Sequence, residues 1–240
     1  MKKIITLSSV VLSTLTLLGA GTASADSVDQ NKFNSEGTIN FTAAPDTSNP
    51  GVVDPENPGG TVDPEIPGVA GTIALDYASN LDFGTHEISE KTATYYASKD
   101  EKTSGADFIA MHDLRGEGTW SITVTQLAQF KNESNDLTGA QLSFNKATAV
   151  YTGTEAGTSA YMPSASNITN LEVGSPAQVM ASNTAGSYGT YAVKYGASAD
   201  YVGNEIGGPI SLSVPAGSAK AGTYTATLEY DLSVVPGIEA

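Results

Sequence analysis

The sequence predicts an all-β protein, built as an antiparallel β-sandwich or a barrel-like sandwich. Apolar and polar residues alternate in many short stretches, as they do along a strand whose side chains point to two faces in turn. Thr, Ser, Val and Tyr dominate, and Gly or Pro interrupts the chain every ten or so residues. Beyond its first residues the chain shows no apolar spacing typical of a helix. Many short strands separated by turns are typical of sandwiches and barrels.

The longest alternation runs from Tyr224 to Pro236 and predicts a half-buried strand. Its apolar face carries Tyr224, Ala226, Leu228, Tyr230 and Leu232, and its polar face carries Thr225, Thr227, Glu229, Asp231 and Ser233. A second stretch of the same kind places Trp120, Ile122 and Val124 on one face, and Trp120 is the only tryptophan. Two segments rich in small residues, 152–170 and 181–201, predict irregular loops.

The organisation of the chain follows from changes in composition. Residues 1–25 have the features of a secretory signal peptide: a basic start, an apolar stretch and an Ala-Ser-Ala cleavage site. Residues 26–44 are polar, with one short strand predicted at 37–43. Residues 45–69 hold six of the 11 prolines and no basic residue, which predicts an extended linker or loop. Residues 70–240 form the predicted β domain.

Charge narrows the range of partners. Cleavage after residue 25 removes Lys2 and Lys3 and leaves nine basic against 26 acidic residues, a formal net charge of −17. Nucleic acid needs a basic surface, so it is excluded as a partner. Anionic wall polymers would be repelled at long range, and binding to them would depend on short contacts. With no cysteine, the domain must be held by its core alone.

No motif predicts catalysis, a cofactor or a metal site. There is no thiol and no Gly-x-Ser-x-Gly turn, and His86 and His112 are expected to be exposed loop residues. Zinc needs three or four ligands, and two lone histidines do not supply them. A glycosidase needs only two facing carboxylates, but nothing in the sequence marks out such a pair. The acids of the Pro-rich segment do not match the spacing of a calcium loop. We therefore expect a protein that is not an enzyme.

Two motifs carry a resemblance to the WxL-domain cell-surface proteins of Gram-positive bacteria. The distal motif of that family is similar to Tyr224, Leu228, Tyr230, Leu232 and Pro236 at the same spacing, with Tyr230 in the position of a tryptophan. The proximal Trp-x-Leu motif is similar to Trp120-Ser121-Ile122. The resemblance implies noncovalent attachment to peptidoglycan through the domain. It also implies a complex with other exported surface proteins.

Aromatic residues are the candidate ligand contacts. Trp120 and Tyr230 either belong to the core or line a sugar-binding surface, and their apolar strand neighbours favour the core. Tyrosines of the predicted loop 181–201 are the better candidates for exposed contacts. The candidate ligand-binding residues are Trp120, Ile122, Tyr230, Leu232, Tyr188, Tyr191 and Tyr195.

The expected function is that of an exported protein held noncovalently at the cell wall. The chain's end, VVPGIEA, has no sorting motif or apolar tail, and no later stretch is apolar enough to span a membrane. We expect the folded domain to hold the protein at the surface. The alternative is a structural or adhesive subunit that binds another protein or host matrix through a sheet edge or a loop.

Overall fold

The computed structural model describes residues 35–42, 44–57, 62, 67–103, 105–153, 161–184 and 186–235. The predicted signal peptide lies outside these residues. The chain divides into two compact units, residues 1–41 and 42–240, which are described separately. Within the described residues, no helix has the length and apolarity needed to cross a membrane.

The described part of the second unit is almost entirely β-structure, which confirms the predicted fold class. Its strands are β1 (Ile73–Ala78), β2 (Ala93–Tyr96), β3 (Phe108–Asp113), β4 (Thr119–Gln126), β5 (Gln141–Phe144), β6 (Ala147–Tyr151), β7 (Ser164–Ala165), β8 (Ile168–Leu171), β9 (Ala177–Ala181), β10 (Gly189–Tyr195), β11 (Ile210–Val214) and β12 (Leu228–Val235). One short 3₁₀ helix, Ser198–Asp200, follows β10.

The strands form three antiparallel sheets of four strands each. Sheet 1 has the order β1-β3-β10-β6, sheet 2 the order β2-β11-β5-β8, and sheet 3 the order β12-β4-β9-β7. The two edges of sheet 1 lie against the two edges of sheet 3, through β1 with β12 and β6 with β7, and β8 of sheet 2 contacts β9. All three sheets contribute side chains to one large core. This is a barrel-like antiparallel arrangement.

Strand β4 shows how the alternation becomes a core. Its buried positions are Trp120, Ile122, Val124 and Gln126, and the residues between them are half-buried. The Trp120 indole N–H donates to the Ser187 hydroxyl at 3.0 Å, so its single polar group is satisfied inside the core. Strand β12 pairs with β4, placing Leu232 opposite Ile122 and Tyr230 opposite Val124. The two motif strands are therefore hydrogen-bonded neighbours.

The loop predicted for 181–201 is wrong, because it contains β10, an interior strand of sheet 1. Tyr191, Val193 and Tyr195 enter the main core, while Ala192 joins a smaller cluster on the opposite face. On the opposite face, buried Ala192 separates half-buried Thr190 and Lys194, so the polar alternation typical of a half-exposed strand is interrupted. Gly189, at φ 132°, is required at its start, since a Cβ there would lie 2.5 Å from the Tyr151 ring. The loop predicted for 152–170 likewise includes β7 and the start of β8.

The first unit is described only for residues 35–41. Its residues Ile39 and Phe41 are 74% and 86% exposed. Of the short strand predicted at 37–43, residues 37–42 carry no strand and Ala43 lies outside the described residues.

The described part of the Pro-rich segment contacts the β domain. Val52 and Val62 are buried in the smaller cluster, against Phe108 and Ala192 among others. The Glu56 carboxylate accepts hydrogen bonds from the Ala106 N–H at 2.8 Å and the Ser198 N–H at 2.9 Å. These contacts bury more than an extended linker would, although the boundary between linker and domain stays a prediction.

Candidate ligand-binding cleft

A cleft of about 1000 Å³ opens where three connections of the fold come together. One wall is the 81–91 segment between β1 and β2. The opposite wall is the 215–226 segment between β11 and β12, and residues of the β4–β5 connection contribute to the floor. These segments are far apart in the sequence, and the sheet pairings bring them to one place.

The floor of the cleft is apolar because strand β11 extends past the main core. Ile210, Leu212 and Val214 lie on one buried face of β11, but only Ile210 belongs to the main core. Leu212 and Val214 form a separate small cluster, covered mainly by the connections and by Tyr95 of β2. Its other members are buried Leu137 and Ala140, with Phe83, Tyr95, Phe130, Ala219 and Tyr224 partly buried against them.

His86 fastens the 81–91 segment to the sheet. Its ring stacks on Tyr95, with centroids 4.0 Å apart and planes 20° apart. Nδ1 lies 2.8 Å from a carboxylate oxygen of Glu205, and Nε2 faces the carbonyl oxygen of Phe83. The Asn204 side chain adds hydrogen bonds to the carbonyl oxygens of Tyr96 at 2.7 Å and Asp82 at 3.3 Å.

The opposite wall is fixed by backbone contacts of the residues before β12. Thr225 exchanges two backbone hydrogen bonds of 3.0 Å with Lys131. The Tyr224 hydroxyl accepts the Lys220 N–H at 3.0 Å, so its ring is held over the cleft. Regular pairing of β12 begins only at Leu228, four residues later than the alternation predicted.

The cleft continues into a second compartment of about 380 Å³. The two compartments share Leu81, Phe83, Phe130 and Ala226, and the second adds Leu228 and Tyr230. The even-numbered face from Tyr224 to Tyr230 thus lines both compartments in turn. At about 3.3 Å per extended residue, this wall is roughly 20 Å long. Such a groove has the length to hold several units of a polymer.

The charges around the cleft differ from those of the whole chain. Asp82 and Glu87 line it together with Lys91 and Lys220, so acidic and basic side chains are equal in number there. Over the whole sequence, acids outnumber Lys and Arg 26 to 11. The cleft is therefore a place where an anionic ligand meets less repulsion than elsewhere on this protein.

The structure places the seven candidate residues taken from the sequence in different surroundings. Trp120, Ile122, Tyr191 and Tyr195 are buried, with at most 3% of their surface exposed. Leu232 is half-buried against the main core, and Tyr188 is 57% exposed but does not line the cleft. Tyr230 lines the second compartment. As ligand contacts, all seven residues stay a prediction.

Sequence reasoning missed Phe83, Tyr95 and Phe130. Each stands in a different segment, and no alternation or motif connects them. Nothing in the local sequence marks these three residues as neighbours. They meet in the cleft only because β2 pairs with β11 and because two connections fold over the same face. His86 is half-buried in the cleft wall, where the sequence predicted an exposed residue.

The prediction for His112 is wrong. It lies fully buried on β3, where Nδ1 contacts the Asp76 carboxylate at 2.8 Å and Nε2 contacts the Gly71 carbonyl oxygen at 3.0 Å. Burial acts to lower the pKa of His112, but the hydrogen bond and charge of Asp76 outweigh it and raise that pKa. The pair ties β1 to β3 and has no access to the cleft. Among the residues that the structure describes, no three His, Cys, Asp or Glu side chains could hold a metal ion together.

The fold and the cleft together describe an all-β domain with an extended groove along the last strand that the structure describes. The sequence model of the WxL domain, described as surface cell wall-binding, matches residues 28–236. The chain therefore belongs to the WxL-domain family, a family of cell wall-binding surface proteins and not of enzymes. Neither a curated protein nor a solved structure matches the chain.

Proposed function

We propose that this protein is exported and holds to peptidoglycan noncovalently through its β domain. The observation that supports the proposal is the family match, which covers residues 28–236 and describes a cell wall-binding surface domain. Residues 1–25 supply the features of an export signal. The open cleft supplies a surface with rings and polar groups, as expected for a binding protein.

Sedimentation with purified cell walls tests this function. Residues 26–240 are mixed with peptidoglycan sacculi from a Gram-positive bacterium and centrifuged. We expect the protein to be found in the pellet, and to remain in the supernatant when sacculi are left out. A protein that stays in the supernatant with sacculi, at low and at high salt, would contradict the proposal.

A second candidate is a structural subunit that binds a companion exported protein. The observation in its favour is the segment 35–41, whose Ile39 and Phe41 side chains are almost fully exposed. Such a segment has the composition to add as a strand to the sheet edge of another protein. Deletion of residues 26–44 separates the candidates: loss of assembly with wall binding intact favours the subunit, and loss of neither leaves the segment as a spacer.

A further inference from the structure

We infer that the two-compartment cleft is where the protein holds the wall, and that its ligand is a carboxylate-bearing glycan strand of peptidoglycan lying along Tyr224–Tyr230. The inference rests on the proposed function, which does not itself say where the wall is bound. It moves the site away from Trp120, which is only 3% exposed and occupied in packing the core.

The shape of the cleft suits a linear polymer. Its two compartments follow one another along one extended wall, residues 224–230. Leu81, Phe83 and Phe130 line both compartments. Both ends of this wall are lined by a tyrosine, Tyr224 in the first compartment and Tyr230 in the second. A glycan strand laid along the wall would therefore meet rings at two points about 20 Å apart, given the rise of an extended chain.

The lining has the mixture of groups that a sugar requires. The faces of a pyranose ring are partly apolar and can pack on the half-buried ring of Tyr224, because an aromatic ring buries a large area on contact. Its hydroxyls need hydrogen-bond partners, and the hydroxyl side chains of Thr85, Ser89 and Thr223 stand around the first compartment.

The charges of the cleft narrow the class of ligand to one that carries carboxylates. The exposed lysines Lys91 and Lys220 line the cleft, and carboxylates on the stem peptides or sugars of a wall glycan can pair with them. The protein as a whole is strongly acidic, whereas the cleft lining has as many lysines as acids, so a carboxylate ligand is repelled less there than the net charge would suggest. These contacts act at short range, where a pair of opposite charges is screened least.

A peptide strand is the less favoured occupant of the same cleft. In the first compartment it could pair only with the outer edge of β2, whose other edge pairs with β11. The outer edge of β2 is already occupied at Tyr96, because the Tyr96 N–H donates to the Asn204 carbonyl oxygen at 2.8 Å. The wall at Thr225 is also closed to pairing by its two hydrogen bonds to Lys131.

Matched substitutions test the site. Tyr224→Ala and Lys91→Glu change the cleft, while Tyr161→Ala and Lys99→Glu make the same changes at exposed residues that do not line it. All four proteins are first checked for unchanged thermal unfolding, and their binding to sacculi is then measured over a range of sacculus concentrations. We expect each cleft variant to bind about tenfold more weakly, the loss usual for a central contact, and each control to bind like the wild type.

Two further arms identify the ligand. Sacculi stripped of teichoic acid with hydrofluoric acid should bind the wild type undiminished, and soluble muropeptides from a muramidase digest should compete. Loss of binding on stripping would assign the site to a phosphate polymer and overturn the inference. So would wild-type binding by both cleft variants, or weakened binding by Tyr161→Ala alone.

The outcomes for the site and for the function are separable. If the wild type binds sacculi and the cleft variants bind equally well, the proposed function stands and the site is wrong. If the wild type does not bind sacculi, the proposed function fails. A mixture of the protein with a purified companion surface protein would then show, by the same variants, whether the cleft holds a peptide instead.

Discussion

At the scale of single residues, the least expected side chain is Asp107. It is 1% exposed, and neither of its carboxylate oxygens has a hydrogen-bond partner among the described residues. The nearby Tyr201 hydroxyl accepts the backbone N–H of Asp107 at 2.9 Å and donates its only proton to the Tyr195 carbonyl oxygen at 3.0 Å. It therefore has no proton left for the carboxylate. Burial, with the charge of Asp100, raises the pKa of Asp107 to about 8.

The substitution Asp107→Asn should stabilise the protein at neutral and alkaline pH. Because folding raises the pKa of Asp107, the protonated carboxyl favours the folded state, and this contribution is lost progressively as pH rises from the unfolded pKa to the folded pKa. This residue lowers the free energy of unfolding by up to about 1.4 kcal/mol per pH unit between the two pKa values. Asparagine has a similar shape and never ionises, so the variant should lose that slope. Urea unfolding at pH 5 and pH 8 measures it.

The control is Asp46→Asn, at an exposed aspartate. It should leave the difference in unfolding free energy between pH 5 and pH 8 as it is in the wild type. An Asp107→Asn variant with the same pH dependence as the wild type would show that Asp107 is not the buried acid responsible.

Single residues also show what sequence reasoning could and could not predict. Trp120 was interpreted as core because its strand neighbours are apolar, and it is buried. His112 was placed in a loop because Asp113 and a glycine-rich turn follow it, yet it is buried with Asp76, a partner 36 positions away. A contact over such a separation leaves no local pattern, so a buried pair and two exposed residues look alike in sequence.

At the scale of elements, alternation predicted the strands that have one face in the core. Strands β4 and β12 alternate clearly, and both were predicted. Strand β10 was missed because its polar face is interrupted. Buried Ala192 stands between Thr190 and Lys194, so only a weak alternation of polar and apolar residues remains. The cleft could not be predicted at all, since it is formed by three connections whose meeting depends on strand order.

The Glu56 carboxylate is one of the contacts that hold its segment to the β domain, which gives a prediction for a whole element. Burial acts to raise the pKa of Glu56, but hydrogen bonds from the backbone N–H groups of Ser198 and Ala106 and the charge of Lys194 outweigh it and lower that pKa. Glu56→Ala leaves both N–H groups without their acceptor. We expect the free energy of unfolding to fall by about 1 to 3 kcal/mol at pH 7.

Hydrogen exchange gives a readout specific to this contact. The amide protons of Ala106 and Ser198 should exchange faster in Glu56→Ala, whereas the matched change Glu36→Ala, at an exposed glutamate, should not affect them. Since the pKa of Glu56 is lowered on folding, its contribution is present above the ordinary pKa of a glutamate and is lost as pH falls through the folded value. Unchanged exchange at both amides would mean that the segment is held by Val52 and its neighbours instead.

At the scale of the whole molecule, two buried groups favour mildly acidic conditions. Asp107 weakens the folded state as pH rises from the ordinary aspartate pKa towards 8. The raised pKa of His112 means that its stabilising contribution is full below the ordinary histidine pKa and is lost as pH rises through the folded value. Glu56 and Asp100, whose pKa values are lowered, oppose further acidification. Stability should therefore be greatest in mild acid.

Net charge predicts how wall binding responds to salt. The chain carries a formal charge of −15, and peptidoglycan carboxylates are also negative, so the approach of the two is opposed at long range. Raising ionic strength from 0.01 M to 0.1 M shortens the screening length from about 30 Å to about 10 Å. The fraction of protein bound to sacculi should rise over this range. A fraction that falls steadily from the lowest salt would show that attraction by the cleft lysines outweighs the repulsion.

If the cleft holds the wall as we propose, its position in the chain also decides when the protein becomes able to bind. Tyr224 to Tyr230 belong to the last-synthesised part of the fold, and they become a wall only when β12 has paired with β4, a strand about a hundred residues earlier. An exported chain that crosses the membrane from its N-terminus would have no groove until its final strand has arrived and joined sheet 3. Capture by the wall would then select finished molecules, and a chain stalled or cut before β12 would diffuse away.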